Sequence, residues 1–279
     1  MGVNVQILDG KTYRLELLEE YKKKIEDNNL DIRLDIIEVG DDPSSNQYIK
    51  NKLKYTEMVG IKSVLHKLDE NTSEDEINKL IDELNINDEV TGIILQSPIP
   101  LGVEAFNRCA ERILSSKDVD GFTKDNIYNL YINNESILPC TVIGIIKLLD
   151  HYNINLDGAS VTIVGRGNIV GKPLGLALTN RNATVTVCHT HTIQLEKYTK
   201  DADIVVAACG QANLITKDMV KDGFVGVDVG VSFIDGKQVG DFDESVYEKA
   251  SYISMPTGGV GPMTISMIIE NLIRLKENL

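Results

Sequence analysis

The feature that most restricts what this chain can become is an alternation. In its second half, short apolar runs at residues 160–164, 183–188, 203–208, 224–229 and 252–254 are separated by stretches that fit helices, at 171–178, 216–220 and 243–250. Strands joined by helices run parallel, because such a crossover returns the chain to the same end of the sheet. The pattern predicts a doubly wound parallel sheet of the nucleotide-binding type. The first half alternates as well. A strand over 31–39 meets Gly40, Asp41, Asp42 and Pro43, and a helix capped by Ser44 or Ser45 runs through Tyr48, Leu53 and Met58 to a stop at Gly60. Residues 73–84 read as an amphipathic helix with Glu74 and Glu76 at its positive end, and a strand over 91–96 is ended by Pro98 and Pro100. An α/β protein of two domains is expected: an N-terminal α/β domain over 1–138 and a Rossmann-type domain over 139–262. The last helix, 263–279, is apolar almost all round and is expected to pack back on the first domain.

Charge narrows the class of partner. Against 28 Lys and Arg stand 42 Asp and Glu, a net charge of −14 that would repel a phosphate backbone over any broad surface, so nucleic acid is not expected as a partner. Most of the excess, −11, falls in residues 1–140. No apolar run approaches the ~20 residues that cross a bilayer, and the N-terminus lacks a charged-then-apolar leader pattern. The chain reads as soluble and cytoplasmic, without a membrane partner. Cys109, Cys140, Cys188 and Cys209 form no CxxC pair, which fits neither a zinc ribbon nor a disulfide framework.

Several constellations carry chemistry. Gly165-Arg166-Gly167-Asn168-Ile169-Val170-Gly171-Lys172-Pro173 follows a strand and opens a helix, where backbone N–H groups can hold an anion. The spacing departs from G-x-G-x-x-G by one position, and it is not a Walker loop. A tight strand-to-helix connection would explain the glycines alone. Arg166 argues for more, since a guanidinium there can meet a dinucleotide's 2′-phosphate, which favours NADP over NAD. Tyr48 and Lys52 share one helix face at i and i+4, while Lys50 and Lys54 share another. Gln96 ends an apolar strand, and Lys117-Asp118-Val119-Asp120-Gly121 reads as a charged turn. Cys188-His189-Thr190-His191 offers zinc-like donors, but no second Cys/His cluster supplies the remaining ligands, so no metal site is expected.

Read in order, these motifs converge. Asp9-Gly10-Lys11, Tyr48 with Lys52, Gly92-Ile93-Ile94-Leu95-Gln96, Lys117-Asp118-Val119-Asp120-Gly121-Phe122, Pro139-Cys140-Thr141, Gly165-Arg166 with Ile169-Val170-Gly171-Lys172-Pro173, Cys188-His189 and Gly258-Gly259-Val260-Gly261-Pro262-Met263-Thr264 occur as in one family. The chain resembles the bifunctional methylenetetrahydrofolate dehydrogenase/methenyltetrahydrofolate cyclohydrolases over essentially its full length. The resemblance implies a homodimer, with folate held in a cleft between an N-terminal catalytic domain and an NADP domain. It implies hydride transfer from 5,10-methylenetetrahydrofolate to NADP, then hydrolysis of the methenyl product to 10-formyltetrahydrofolate. Lys52 would be the acid/base of the hydrolysis, with Gln96 bonded to it and favouring the neutral amine. Tyr48 would stack near the pterin, and Asp120 would accept from the pterin's amino edge. Cofactor contacts would come from Gly165, Arg166, Gly167, Thr190 and Val231.

The chain also departs from the family pattern. Gly167 stands where the family usually has serine, which removes a hydroxyl that could bind a 2′-phosphate and makes NAD use more plausible. Ser97, Ser116, Ile127-Tyr128 and Met255-Pro256-Thr257 also differ, without removing a proposed catalytic group. Two alternatives follow: a monofunctional NAD(P)-dependent dehydrogenase, against which Lys52 and Gln96 argue, and a non-catalytic folate or nucleotide sensor, which could dispense with Lys52. The −11 charge of the first half implies that its carboxylates lie away from an anionic substrate.

Overall fold

A computed structural model describes residues 5–134 and 137–277. The chain forms two compact units: Leu15–Cys140 with the C-terminal segment from Ile265, and the N-terminal segment up to Arg14 with Thr141–Thr264. In chain order the strands are β1 (Gln6–Leu8), β2 (Arg33–Val39), β3 (Lys62–Leu68), β4 (Gly92–Leu95), β5 (Ser160–Val164), β6 (Thr184–Cys188), β7 (Ile204–Ala207), β8 (Val225–Asp228), β9 (Ser232–Ile234), β10 (Lys237–Val239) and β11 (Tyr252–Ser254). The α-helices are α1 (Gly10–Asp27), α2 (Pro43–Met58), α3 (Glu74–Asn85), α4 (Val103–Ala110), α5 (Lys124–Tyr131), α6 (Cys140–His151), α7 (Gly171–Thr179), α8 (Glu196–Thr199) and α9 (Val260–Glu277). The last two residues of the helix expected over 263–279 lie outside the described residues.

In the first unit three parallel strands run in the order β3-β2-β4. Strand β2 is central, paired along both edges, and its two faces are also covered, with Leu34, Ile36, Ile37 and Val39 all buried. Ile37 and Val39 pack with Ile93 and Leu95 of β4, Ile77, Ile81 and Leu84 of α3, and Ala105 and Cys109 of α4. Helix α3 starts on a capping box: Glu76 N–H donates to Ser73 Oγ (3.3 Å), and Ser73 N–H donates to Glu76 Oε2 (2.9 Å). Helix α2 starts earlier than expected, with Pro43 as its first residue. Asp42 caps it, its Oδ1 accepting from Ser45 N–H (3.1 Å), while Ser45 Oγ donates to Ser97 O (3.2 Å).

The second unit holds a six-stranded parallel sheet in the order β1-β11-β8-β7-β5-β6. The N-terminal segment, expected in the first domain, belongs here, because β1 pairs with β11 as an added edge strand. From β5 the chain steps to β6 on one side and then to β7 on the other, and the crevice outside such a reversal is where open α/β sheets bind ligands. The core beneath joins Val164, Val205, Ala207 and Ile253 to Ile215, Val220, Phe224, Phe242 and Val246. The helices expected over 216–220 and 243–250 are only 3₁₀ turns, Lys217–Met219 and Glu244–Glu248. Segments this short close few i→i+4 bonds, so the tighter turn wins. A hairpin, β9–β10, was not anticipated, although its Asp235-Gly236 turn is a hairpin signal and both residues take positive φ (48° and 74°).

Candidate active site

In the first unit a single lysine is set apart from its neighbours. Lys50 and Lys54 are exposed, whereas Lys52, on the opposite face of α2, is only 8% exposed. Its Nζ donates to Gln96 Oε1 (2.9 Å) just past β4. Gln96 Nε2 donates to Ser97 O (2.8 Å), which leaves the amide one way round, carbonyl toward the lysine. A lysine can donate this bond in either protonation state, so the contact orients Nζ rather than selecting the neutral amine. Tyr48, one turn earlier, is 48% exposed and free to present its ring.

Asp120 is placed by its neighbours in the 117–121 run, each with a distinct task. Lys117 is buried and donates from Nζ to Leu84 O (3.0 Å) and Asn87 O (2.7 Å), tying the run to the end of α3. Asp118 accepts from Gly121 N–H (2.9 Å), Thr123 N–H (2.8 Å), Thr123 Oγ1 (2.9 Å) and Asn126 Nδ2 (2.9 Å). Val119 packs where a Cβ on Gly92 would have to be. The Asp120 carboxyl is therefore held by its neighbours' bonds while its own oxygens stay available. Burial pushes its pKa up, the charge of Lys52 pulls it back, and Asp118 adds to the rise.

One supporting residue was missed from sequence. Asn271, fully buried in α9, donates from Nδ2 to Val119 O (2.8 Å) and Leu138 O (2.9 Å), clamping the residue before Asp120. A lone amide in an apolar helix was the available signal, since a buried polar group needs partners. Cys140 lies behind it, and burial pushes its thiol well up, which suits a packing role rather than a nucleophilic one. Elsewhere in this unit acidic residues pair outward, Glu74 with Arg108 (2.7 Å) and Asp82 with Arg112 (2.6 Å).

In the second unit the glycine turn opens on a cavity of about 500 Å³ at the β5/β6/β7 switch. Its lining includes Gly165, Arg166 and Gly167 after β5, His189, Thr190 and Thr192 after β6, and Ala208, Cys209 and Gln211 after β7. Gly165 has φ +132°, and a Cβ there would overlap the Ala208 carbonyl oxygen; one on Gly171 would overlap the Gly165 carbonyl oxygen. These two glycines are required by close backbone approach. Gly167 is not, for a Cβ there meets nothing within 4 Å. Arg166 is exposed at the rim, and none of the lining residues is acidic. A ribose 2′-OH is usually met by a carboxylate after the second strand, whereas a 2′-phosphate needs a cation, so this lining suits the phosphorylated dinucleotide. Val231 lies beyond β8, one strand farther from the switch, and does not line the cavity; its neighbour Ser232 donates from Oγ to Gly210 O (3.0 Å).

His189 is held as an acceptor, its Nδ1 taking the His191 N–H (3.2 Å), and burial and Arg166 both lower its pKa. Among the described residues no group of three or more His, Cys, Asp or Glu is placed to hold a metal ion, and no helix is long and apolar enough to cross a membrane.

Comparison with known proteins matches both parts of the chain to one family. Residues 8–120 match the tetrahydrofolate dehydrogenase/cyclohydrolase catalytic domain, and residues 139–279 match the NAD(P)-binding domain of the same family. The chain is 46% identical over 276 residues to the bifunctional protein FolD of Thermodesulfovibrio yellowstonii, covering 97% of this chain and 96% of that one. Among solved structures it resembles the bifunctional FolD methylenetetrahydrofolate dehydrogenase/cyclohydrolase of Campylobacter jejuni, with TM-score 0.94 and 44% identity over 98% and 99% of the two chains. A Trypanosoma brucei methylenetetrahydrofolate dehydrogenase-cyclohydrolase, complexed with NADP and an inhibitor, matches with TM-score 0.93 and 27% identity, over 98% of each chain.

Proposed function

The chain belongs to the tetrahydrofolate dehydrogenase/cyclohydrolase family, and from that premise we propose which of its residues carry each step. The enzyme is bifunctional: it oxidises 5,10-methylenetetrahydrofolate to the methenyl form with a nicotinamide cofactor, then hydrolyses that product to 10-formyltetrahydrofolate. The unit built on β2, β3 and β4 is the folate-binding part, and the six-stranded unit is the cofactor-binding part.

The observation that carries the assignment is the buried Lys52, with Nζ 2.9 Å from Gln96 Oε1 and its charge felt by Asp120. Asp120 accepts hydrogen bonds from the pterin's amino edge, and Tyr48 stacks against the ring, so that the one-carbon bridge lies near Lys52. As a neutral amine, Lys52 takes a proton from the water that attacks the methenyl carbon, forming a carbinolamine. As an ammonium, it returns a proton to N5 as the bond from carbon to N5 breaks, while the carbinol O–H gives up its proton to solvent and its oxygen becomes the carbonyl of the formyl group left on N10. Gln96 holds Nζ in line for both transfers.

The cofactor supplies a hydride acceptor at nicotinamide C4. Gly165 keeps the turn open to its phosphates, Arg166 beside Gly167 pairs with the 2′-phosphate, and Thr190 lines the same cavity. Arg166 and the absence of an acidic residue from the described lining support NADP as the preferred cofactor, with NAD as the weaker one. The family resemblance further supports a homodimer acting in the cytoplasm.

The test removes the lysine. Lys52→Met is expected to lower the hydrolysis of 5,10-methenyltetrahydrofolate by roughly 10³-fold, within the range of general acid–base catalysis. The parent enzyme's NADP affinity should be retained. Methenyl absorbance decaying at the parental rate in this variant would remove Lys52 from the mechanism.

A further inference from the structure

One wall of the cofactor cavity is shaped by a residue that no step above uses. After β7 the chain turns through Ala208, Cys209, Gly210 and Gln211, and three successive backbone N–H groups meet one carboxylate. Asp241 Oδ2 accepts from Cys209 N–H (2.8 Å) and Gly210 N–H (3.1 Å), and Oδ1 accepts from Gln211 N–H (2.7 Å). The Cys209 thiol adds a fourth donor to Oδ2 (3.3 Å), and burial together with the Asp241 charge pushes that thiol up to about 12. Asp241 itself is 0% exposed. Consecutive N–H groups turned to one point form an anion-binding nest. Here the anion belongs to the chain.

Asp241 is fixed in turn. Its N–H donates to Asp228 Oδ1 (3.0 Å), and the Asp228 N–H donates to Ser254 Oγ (2.7 Å). A Cβ on Gly230 would overlap the Asp241 carboxylate, and one on Gly240 would overlap that of Asp228. The glycines thus leave room for carboxylates rather than for a ligand. The held loop then supports the glycine turn, because the Ala208 carbonyl occupies the space a Gly165 side chain would need. From Asp228 through Asp241 and the 209–211 loop to Gly165, each link is a direct contact.

We propose that Asp241 is a positioning residue for the cofactor: its buried carboxylate holds the 208–211 loop as the wall against which Gly165 and Arg166 are set. The inference rests on the reading that this cavity receives NAD(P). Losing the carboxylate frees three N–H groups, lets the wall move, and weakens cofactor binding without touching the lysine centre.

The test compares the parent with Asp241→Asn, Gly230→Ala and Arg166→Ala. Dehydrogenase kinetics are measured against NADP, and hydrolysis of 5,10-methenyltetrahydrofolate is measured with no cofactor added. Asp241→Asn keeps the shape and loses the charge; Gly230→Ala keeps the charge and displaces it. Both should raise the KM for NADP by about tenfold or more, as expected for lost charged hydrogen bonds, with a smaller change in kcat and hydrolysis within about twofold of the parent. A KM for NADP unchanged in both variants overturns the inference. So does a parallel loss of hydrolysis in both, which would make Asp241 a general stabiliser. If Asp241→Asn fails to fold, Gly230→Ala decides by the same criteria. Arg166→Ala separates the underlying reading: an unchanged KM for NADP there removes the cavity as the cofactor site and the inference with it, whereas a raised KM in Arg166→Ala beside an unchanged one in Asp241→Asn overturns the inference alone.

Discussion

The two sites are made of different materials. Around Lys52, side chains from α2, the end of β4 and the 117–121 turn define the chemistry, and the backbone serves to carry them. Around Gly165, the backbone itself forms the surface, and its main requirement is that side chains be absent. The difference follows from the task. Proton transfer needs a titratable group with a defined neighbour, whereas binding a phosphorylated dinucleotide needs close approach to peptide N–H groups. The lysine site should therefore be sensitive to changes of charge, and the glycine site to added volume.

Gly165→Ala tests that contrast most severely. A non-glycine residue at φ +132° stores about 1–3 kcal/mol of strain, and the added methyl must also displace the Ala208 carbonyl. A total near 3 kcal/mol corresponds to roughly a 100-fold loss in dehydrogenase kcat/KM, with cofactor-free hydrolysis nearly intact. Dehydrogenase activity close to the parental level would show that the turn is not a tight backbone fit.

Asp120→Asn is the matching change at the lysine site and should cost less. Removing a charged acceptor from a hydrogen bond is worth about 1.5–3 kcal/mol, so kcat/KM for both folate substrates should fall by about 10- to 100-fold while the KM for NADP holds. Burial has raised the Asp120 pKa, and protonation removes the charge that anchors the pterin. In the parent, the folate KM should therefore climb as pH falls, beginning above the usual carboxylate range. Asp120→Asn should flatten that limb. A limb of equal steepness in the variant would assign it to another group.

The contrast between the sites also governs what could be read from sequence. Lys52, Gln96 and Asp120 stand out by residue type, and Arg166 stands out after a strand. Their supports do not. Lys117 and Asp118 carry the same charges as a solvated turn, and only the fold shows them buried and bonded to backbone. Asn271 lies 152 residues from Val119, and Asp241 lies 30 to 32 residues from the 209–211 loop, so no local pattern links them to the turns they hold. Among the strands, β5, whose residues beyond Ser160 are buried apolar or β-branched, was legible to its ends. β3 was not, because its polar Lys62, Ser63, His66 and Lys67 suit an edge strand and hide the apolar rhythm. The first strand is only three residues long and takes its place from β11 rather than from its own sequence.

The mildest change sharpens the comparison from the other side. If volume is what the glycine site excludes, a position there with open space should accept a side chain freely. Gly167 is such a position, since a Cβ on it meets nothing within 4 Å and its φ is not in the left-handed range. Gly167→Ser should leave stability within about 0.5 kcal/mol of the parent, as for other unencumbered surface changes. Beside Arg166 the new hydroxyl can donate to a 2′-phosphate, an addition worth about 0.5–1.5 kcal/mol. Initial rates with both cofactors should then show the ratio of NADP to NAD kcat/KM rising by roughly 2- to 10-fold, mostly through a lower KM for NADP. An unchanged ratio would place the 2′-phosphate away from residue 167 and leave Arg166 as its partner on this turn; a loss of stability would mean that the turn tolerates less volume than its open surroundings imply.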